Sequence, residues 1–179
     1  MSILKVARMG HPVLRAKARA LPRSDVKKTE VQRLIDDMME TMVEYHGVGL
    51  AAPQIHQSLR LFVADLSAKD DHPDDAELLA IVNPEILSVG SDVAEEWEGC
   101  LSIPDIRGRV TRAREIRVRG LDRRGERIEL ALSDFSARVV QHETDHLDGV
   151  LFFDRMRAFE SLTFLDEYAR YWAKSEADE

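Results

Sequence analysis

A second cysteine is the first thing this sequence lacks. With Cys100 alone, no intramolecular disulfide can form, and a reducing compartment is the expected setting. Long apolar runs are missing too: residues 1–6 hold neither a hydrophobic segment nor a small-residue cleavage site, and nothing downstream approaches the roughly 20 residues that span a bilayer. The expected location is the cytoplasm, with no membrane partner. Positive charge is in deficit, 25 Lys and Arg against 33 Asp and Glu for a net −8, so the surface as a whole does not invite nucleic acid. Arginines do crowd between Arg107 and Arg127, and they read as a solvated strand face. No internal repeat and no linker divides the chain, and 179 residues with 44% hydrophobic content fit one domain with its own core.

Local patterning sets the expected elements. Gly10 and Pro12 make residues 8–15 an irregular arm. Thr29 and Gln32 stand as a T-x-x-Q capping box, and Val31, Leu34, Ile35, Met38, Met42 and Val43 follow at helical spacing, with Gly47 as the stop. The run Gly47-Val48-Gly49-Leu50-Ala51-Ala52-Pro53-Gln54 reads as a loop open to close backbone approach. It lacks the Gly-Lys-[Ser/Thr] ending of a phosphate-binding loop. Strands are expected over 59–66 and 78–89, the second broken at Asn83-Pro84 where proline removes a ladder donor, with a solvated loop over 67–77 between them. Residues 92–97 read as extended. Residues 115–121 and 127–132 form a hairpin around 122–126. Ser133 is placed to cap the next helix and Gly149 to end it. A last helix is expected from Phe159, Leu162, Leu165, Ala169 and Trp172, with a polar, frayed end over 175–179.

The helix between Ser133 and Gly149 carries Gln141-His142-Glu143-Thr144-Asp145-His146. Residues i and i+4 share a helix face, so His142 and His146 can grip one metal ion while Glu143 reaches a water bound to it. With 6 histidines in 179 positions, such a pair enclosing an acidic residue arises by chance roughly 0.04 times, so the motif is informative. Phe135, Val139, His142 and His146 fall at i, i+4, i+7 and i+11, which turns the ligands toward the core. A third ligand must come from elsewhere in the chain.

Taken in order, Gly47-x-Gly49-Leu50-Ala51-Ala52-Pro53-Gln54, Glu98-Gly99-Cys100-Leu101-Ser102 and Gln141-His142-Glu143-x-x-His146 resemble the three motifs of the peptide deformylases. The resemblance runs from Gly10-His11-Pro12-Val13-Leu14 to Phe153-Asp154-Arg155-Met156. It implies an α+β fold, with antiparallel β-sheets packed around a central metal-binding helix, an N-terminal helix and a C-terminal helix, as one catalytic domain over residues 1–179. It also implies a metal-dependent hydrolase that removes the formyl group from the formyl-methionine of nascent polypeptides and releases formate.

By that resemblance Cys100 joins His142 and His146 as the third ligand and leaves one vertex for water. The thiolate softens the site toward iron or zinc; the implied ion is Fe²⁺, with Zn²⁺, Ni²⁺ or Co²⁺ as substitutes. Glu143 is implied as general acid and base, and the Gln54 side chain and Leu101 N–H as the groups that polarise the formyl oxygen. Glu98 and Arg107 are implied to brace the site as an ion pair. Gly47, Val48, Gly49 and Gly99 would pair with the peptide as an added strand, and Val48, Phe135 and Val139 would hold the methionine side chain. Arg138 and Glu96 stand where many family members carry an apolar residue. The implied partners are the N-formyl-methionyl peptide and, transiently, the ribosome, although the acidic residues 176–179 do not suit the basic docking helix of some members. The competing reading is a zinc peptidase whose third ligand is Asp166 or Glu167.

Overall fold

The computed structural model describes residues 2–67 and 78–173. The loop expected over 67–77, apart from Ser67, and the polar end over 175–179 lie outside the described residues. Apolar side chains at helical spacing make α1 (Thr29–Glu44) a helix with one buried stripe, Val31, Ile35, Met38 and Met42. Its start differs from the capping-box expectation: Lys28 is the cap, Thr29 is already helical, and no side chain closes the end. Gln32 instead donates to the carbonyls of Val26 and Arg123, each at 2.8 Å, and ties the helix to a distant turn. The stop is made by His46 in the left-handed region (φ 54°), with His46 N–H on Val43 and Gly47 N–H on Met42, a Schellman arrangement one residue earlier than expected.

Five strands form an antiparallel sheet in the order β1 (Gly49–Ala51), β2 (Leu61–Asp65), β3 (Leu78–Val89), β6 (Glu115–Leu121) and β7 (Arg127–Ser133). The unbroken apolar run of β2 shows that it is covered on both faces. Leu61 and Val63 pack under α1, while Phe62 and Ala64 pack with Ala137, Val139, Val140 and Leu147 of α2 (Asp134–Leu147). A second sheet, in the order β4 (Val93–Cys100), β5 (Ile103–Ala113) and β8 (Thr163–Phe164), closes over the other side of α2. This is the expected α+β arrangement, with the histidine helix between two antiparallel sheets.

Four local expectations are corrected. Strand β3 is not broken at Asn83-Pro84 but bulged there, with Asn83 at φ 53°; a bulge leaves one residue unpaired and so accommodates the proline's missing donor. The Asn83 side chain clasps the Leu21 N–H and C=O at 2.9 and 2.8 Å. Strand β5 is absent from the expected elements, because Pro104 and Arg107, Arg109 and Arg112 hide its alternation. Ser133 occupies the cap position of α2 without a side-chain bond; Asp134, at φ 45°, donates its N–H to Arg114 C=O instead. The last helix, α3, covers only Leu165–Tyr171, since Phe159 lies in an exposed turn and residues 163–164 pair with β5. Gly149 ends α2 as expected at φ 75°.

Candidate metal centre and catalytic cleft

Helix α2 supplies His142 and His146, and the bulged end of β4 supplies Cys100. Cys100 Sγ lies 3.2 Å from His146 Nε2, which lies 3.2 Å from His142 Nε2. All three ligand atoms fall within 4.8 Å of one another, a spacing that suits an ion binding sulfur at about 2.3 Å and nitrogen at about 2.0 Å. Among the described residues no other His, Cys, Asp and Glu side chains converge in this way, and Asp166 and Glu167 are not part of the group. His146 is buried, and burial followed by the charge of His142 holds its pKa well below that of an ordinary imidazole. That direction favours the neutral imidazole, the form that ligates metal.

A buried carboxylate orients the second imidazole. Glu98 Oε2 accepts from His142 Nδ1 at 2.9 Å, the outer hydrogen bond that fixes the ring of a metal-ligating histidine. Glu98 also accepts from Arg112 Nε and Nη2 at 2.9 and 3.0 Å and from Arg138 Nη1 at 2.8 Å. Burial alone would raise its pKa; the hydrogen bonds from His142 and Arg112 outweigh that and hold the carboxyl well below the usual range. Arg112 goes on to Asp145 on α2 at 2.5 Å, and Arg155 reaches the same carboxylate at 2.6 Å.

The expected pair between Glu98 and Arg107 is thus not formed. Two other arginines occupy the Glu98 oxygens, and the Arg107 guanidinium lies against Gly99, where any Cβ would run into it. Arg112 also departs from the solvated-face reading, being 5% exposed. Arg138 is buried, anchored further by Val110 and Ala94 carbonyls and by Glu96 at 3.2 Å. Its position four residues before His142 is the one signal that could have placed it at the centre.

Glu143 is 4% exposed, and its Oε2 has no hydrogen-bond partner among the described residues. Burial pushes its carboxyl up to about 7, with His142 and Arg112 opposing and Glu98 assisting. Gln54, 1% exposed, is held by its oxygen, which accepts from Ala51 N–H at 2.8 Å. Its Nε2 therefore faces Cys100 Sγ and Ser102 Oγ at 3.5 and 3.3 Å. A cavity of about 950 Å³ joins Gly47, Val48, Gly49, Gln54, Gly99, Leu101, Phe135 and Val139 to Cys100, His142 and Glu143. Strands β1 and β4, each at the edge of its sheet, both contribute residues to this cavity.

A cysteine sulfur and two imidazoles converging beside a buried carboxylate, on the wall of a cleft, define a metal-dependent hydrolase of the Cys-His-His kind. The polypeptide deformylase family model matches residues 3–161, and the chain belongs to that family: it is a hydrolase that removes the N-formyl group from nascent peptides. Peptide deformylase 2 of Nostoc sp. is 39% identical over 175 residues, 97% of each chain. A Met-Ala-Ser-bound class I type b peptide deformylase from Acinetobacter baumannii has a TM-score of 0.81 at 39% identity, covering 87% of this chain and 99% of that one. The enzyme from Thermotoga maritima scores 0.80 at 38% identity, covering 88% and 100%. No helix among the described residues is long and apolar enough to cross a membrane.

Proposed function

We propose that residues 1–179 act as one catalytic domain, in the cytoplasm, on the formyl-methionine of peptides leaving the ribosome. The observation that carries this reading is Glu143, whose buried Oε2 has no hydrogen-bond partner among the described residues, in the same cavity as Cys100 and His142, two of the three converging ligands. A divalent ion held by Cys100, His142 and His146 would supply Lewis acidity and lower the pKa of a water. Fe²⁺ is our choice of ion, since a thiolate beside imidazoles suits it. Glu143, with a carboxyl near neutral pKa, takes the proton from the attacking water and passes it to the departing amine. Gln54 Nε2, aimed by the hold of Ala51 on its oxygen, acts with the Leu101 N–H on the formyl oxygen as negative charge develops there.

The peptide adds as a strand between the edges of β1 and β4, along Gly47, Val48, Gly49 and Gly99. Phe135, Val139 and Val48 take the methionine side chain. Contact with the ribosome is transient. The test is formate release from formyl-Met-Ala-Ser by the parent and Glu143→Gln. A loss of roughly 10²–10⁴-fold is expected, and equal activity would remove the base assigned here.

A further inference from the structure

The catalytic cavity extends past the metal ligands. It is also lined by Trp97 and Ile106 of the second sheet and by Leu165 and Tyr168 of α3. The family match stops at residue 161, so α3 lies beyond the part of the chain that the family model covers. The segment is nevertheless fixed to the site. Strand β8 pairs Phe164 with Ile106 and Thr163 with Arg107, which brings Leu165 and Tyr168 of α3 to the cavity. Leu165, Tyr168 and Trp172 fall at i, i+3 and i+7, one helix face, and Trp97 meets two of them. Its ring centroid is 5.0 Å from Tyr168 and 5.7 Å from Trp172, both within the range of favourable aromatic pairing. The Arg109 guanidinium stacks on Trp97 at 5.5 Å.

We propose that β8 and α3 form an outer wall of the substrate cleft, where Leu165, Tyr168 and Trp97 grip an apolar side chain downstream of formyl-methionine. The inference rests on the deformylase activity and adds to it a preference at the second and third residues of the peptide. Continuity with the catalytic cavity identifies the occupant. About 950 Å³ lies near the top of the range for small-ligand sites, roughly 300–1,000 Å³, and so leaves room beyond one residue. A peptide extended along β1 and β4 advances about 3.3 Å per residue, which carries its second and third residues outward from Glu143. Leu165 keeps 39% of its surface exposed, and aliphatic and aromatic surface of this kind recognises apolar side chains.

The test compares kcat/KM on formyl-Met-Phe-Phe, formyl-Met-Ser-Ser and formyl-Met-Lys-Lys for nickel-loaded parent, Tyr168→Ala and Leu165→Glu. The parent should prefer the Phe-Phe peptide. Tyr168→Ala should lose at least five-fold more on Phe-Phe than on Ser-Ser, through KM. Leu165→Glu should move the preference at least five-fold toward Lys-Lys, a change that damaged folding cannot produce. Proportional losses on all three peptides in both variants, with an active parent, overturn the wall alone. A parent that releases no formate from any of them overturns the activity as well.

Discussion

Gly49 and Glu143 are packed so closely that a single methyl group cannot be placed between them. A Cβ on Gly49 would fall 2.7 Å from the Glu143 carboxyl carbon and nearer still to Oε1. The glycine is thus the shape against which the catalytic carboxylate rests. Gly49→Ala should lower kcat by roughly 10²-fold or more, since it displaces a general base worth roughly 10²–10⁴. Metal content, measured on the same preparation, should stay at the parent level, because Cys100, His142 and His146 are untouched.

The brace on His142 separates Glu98 from Arg107. Glu98→Ala leaves Arg112 and Arg138 buried without their shared carboxylate and should cost about 3–5 kcal/mol in denaturant unfolding. Metal affinity should fall roughly 10–100-fold, the usual effect of removing the partner of a ligating histidine. Arg107→Ala should leave metal affinity unchanged in the same competition titration. A matching loss in Arg107→Ala would restore the pair that the geometry replaces.

Acid should act through the same carboxylate. Glu98 has a folded pKa held well below its unfolded value, which for glutamate is about 4.3. Its contribution to stability is therefore complete above that unfolded value and is lost as pH falls below it toward the folded pKa. Unfolding midpoints taken from pH 7 down to pH 3 should decline below about pH 4.5, and Glu98→Gln should decline less steeply over that interval. Parallel curves would assign the acid loss to other groups.

Gly149 offers a test remote from the chemistry. It sits at φ 75°, and a Cβ there would come 2.6 Å from the Arg15 carbonyl oxygen. Gly149→Ala should destabilise the fold by more than about 1 kcal/mol, since the left-handed region alone costs a residue with a Cβ roughly 1–2 kcal/mol. Thermal unfolding measures this directly.

Much of this architecture is legible in the sequence where one side of an element is buried and the other is wet. The hairpin of β6 and β7 is readable for that reason; α2, buried or half-buried from Phe135 to Leu147 between the two sheets, is readable from its i, i+4 histidines, and the resemblance through three short motifs places Cys100 with them. Spacing alone could not, since 42 residues separate Cys100 from His142. The arginines mark the limit. Choosing Arg112 over Arg107 requires the register of β4 on β5, in which Glu98 faces Gly108, and that register is hidden because β5 has no clean alternation. The aromatic contact of Trp97 with Tyr168 is equally illegible, since 71 residues separate two rings that only the pairing of β8 with β5 brings together.

The run of charges from Glu98 through Arg112 and Asp145 to Arg155 fastens α2 to the second sheet through side chains alone. In small zinc domains the bound metal supplies the folding free energy; here a buried charge network and the apolar packing of Ala137, Val139, Val140 and Leu147 hold the helix that carries two of the ligands. A chelator should therefore strip this centre while leaving the cleft folded, and a different divalent ion can be loaded into the same frame without a refolding step.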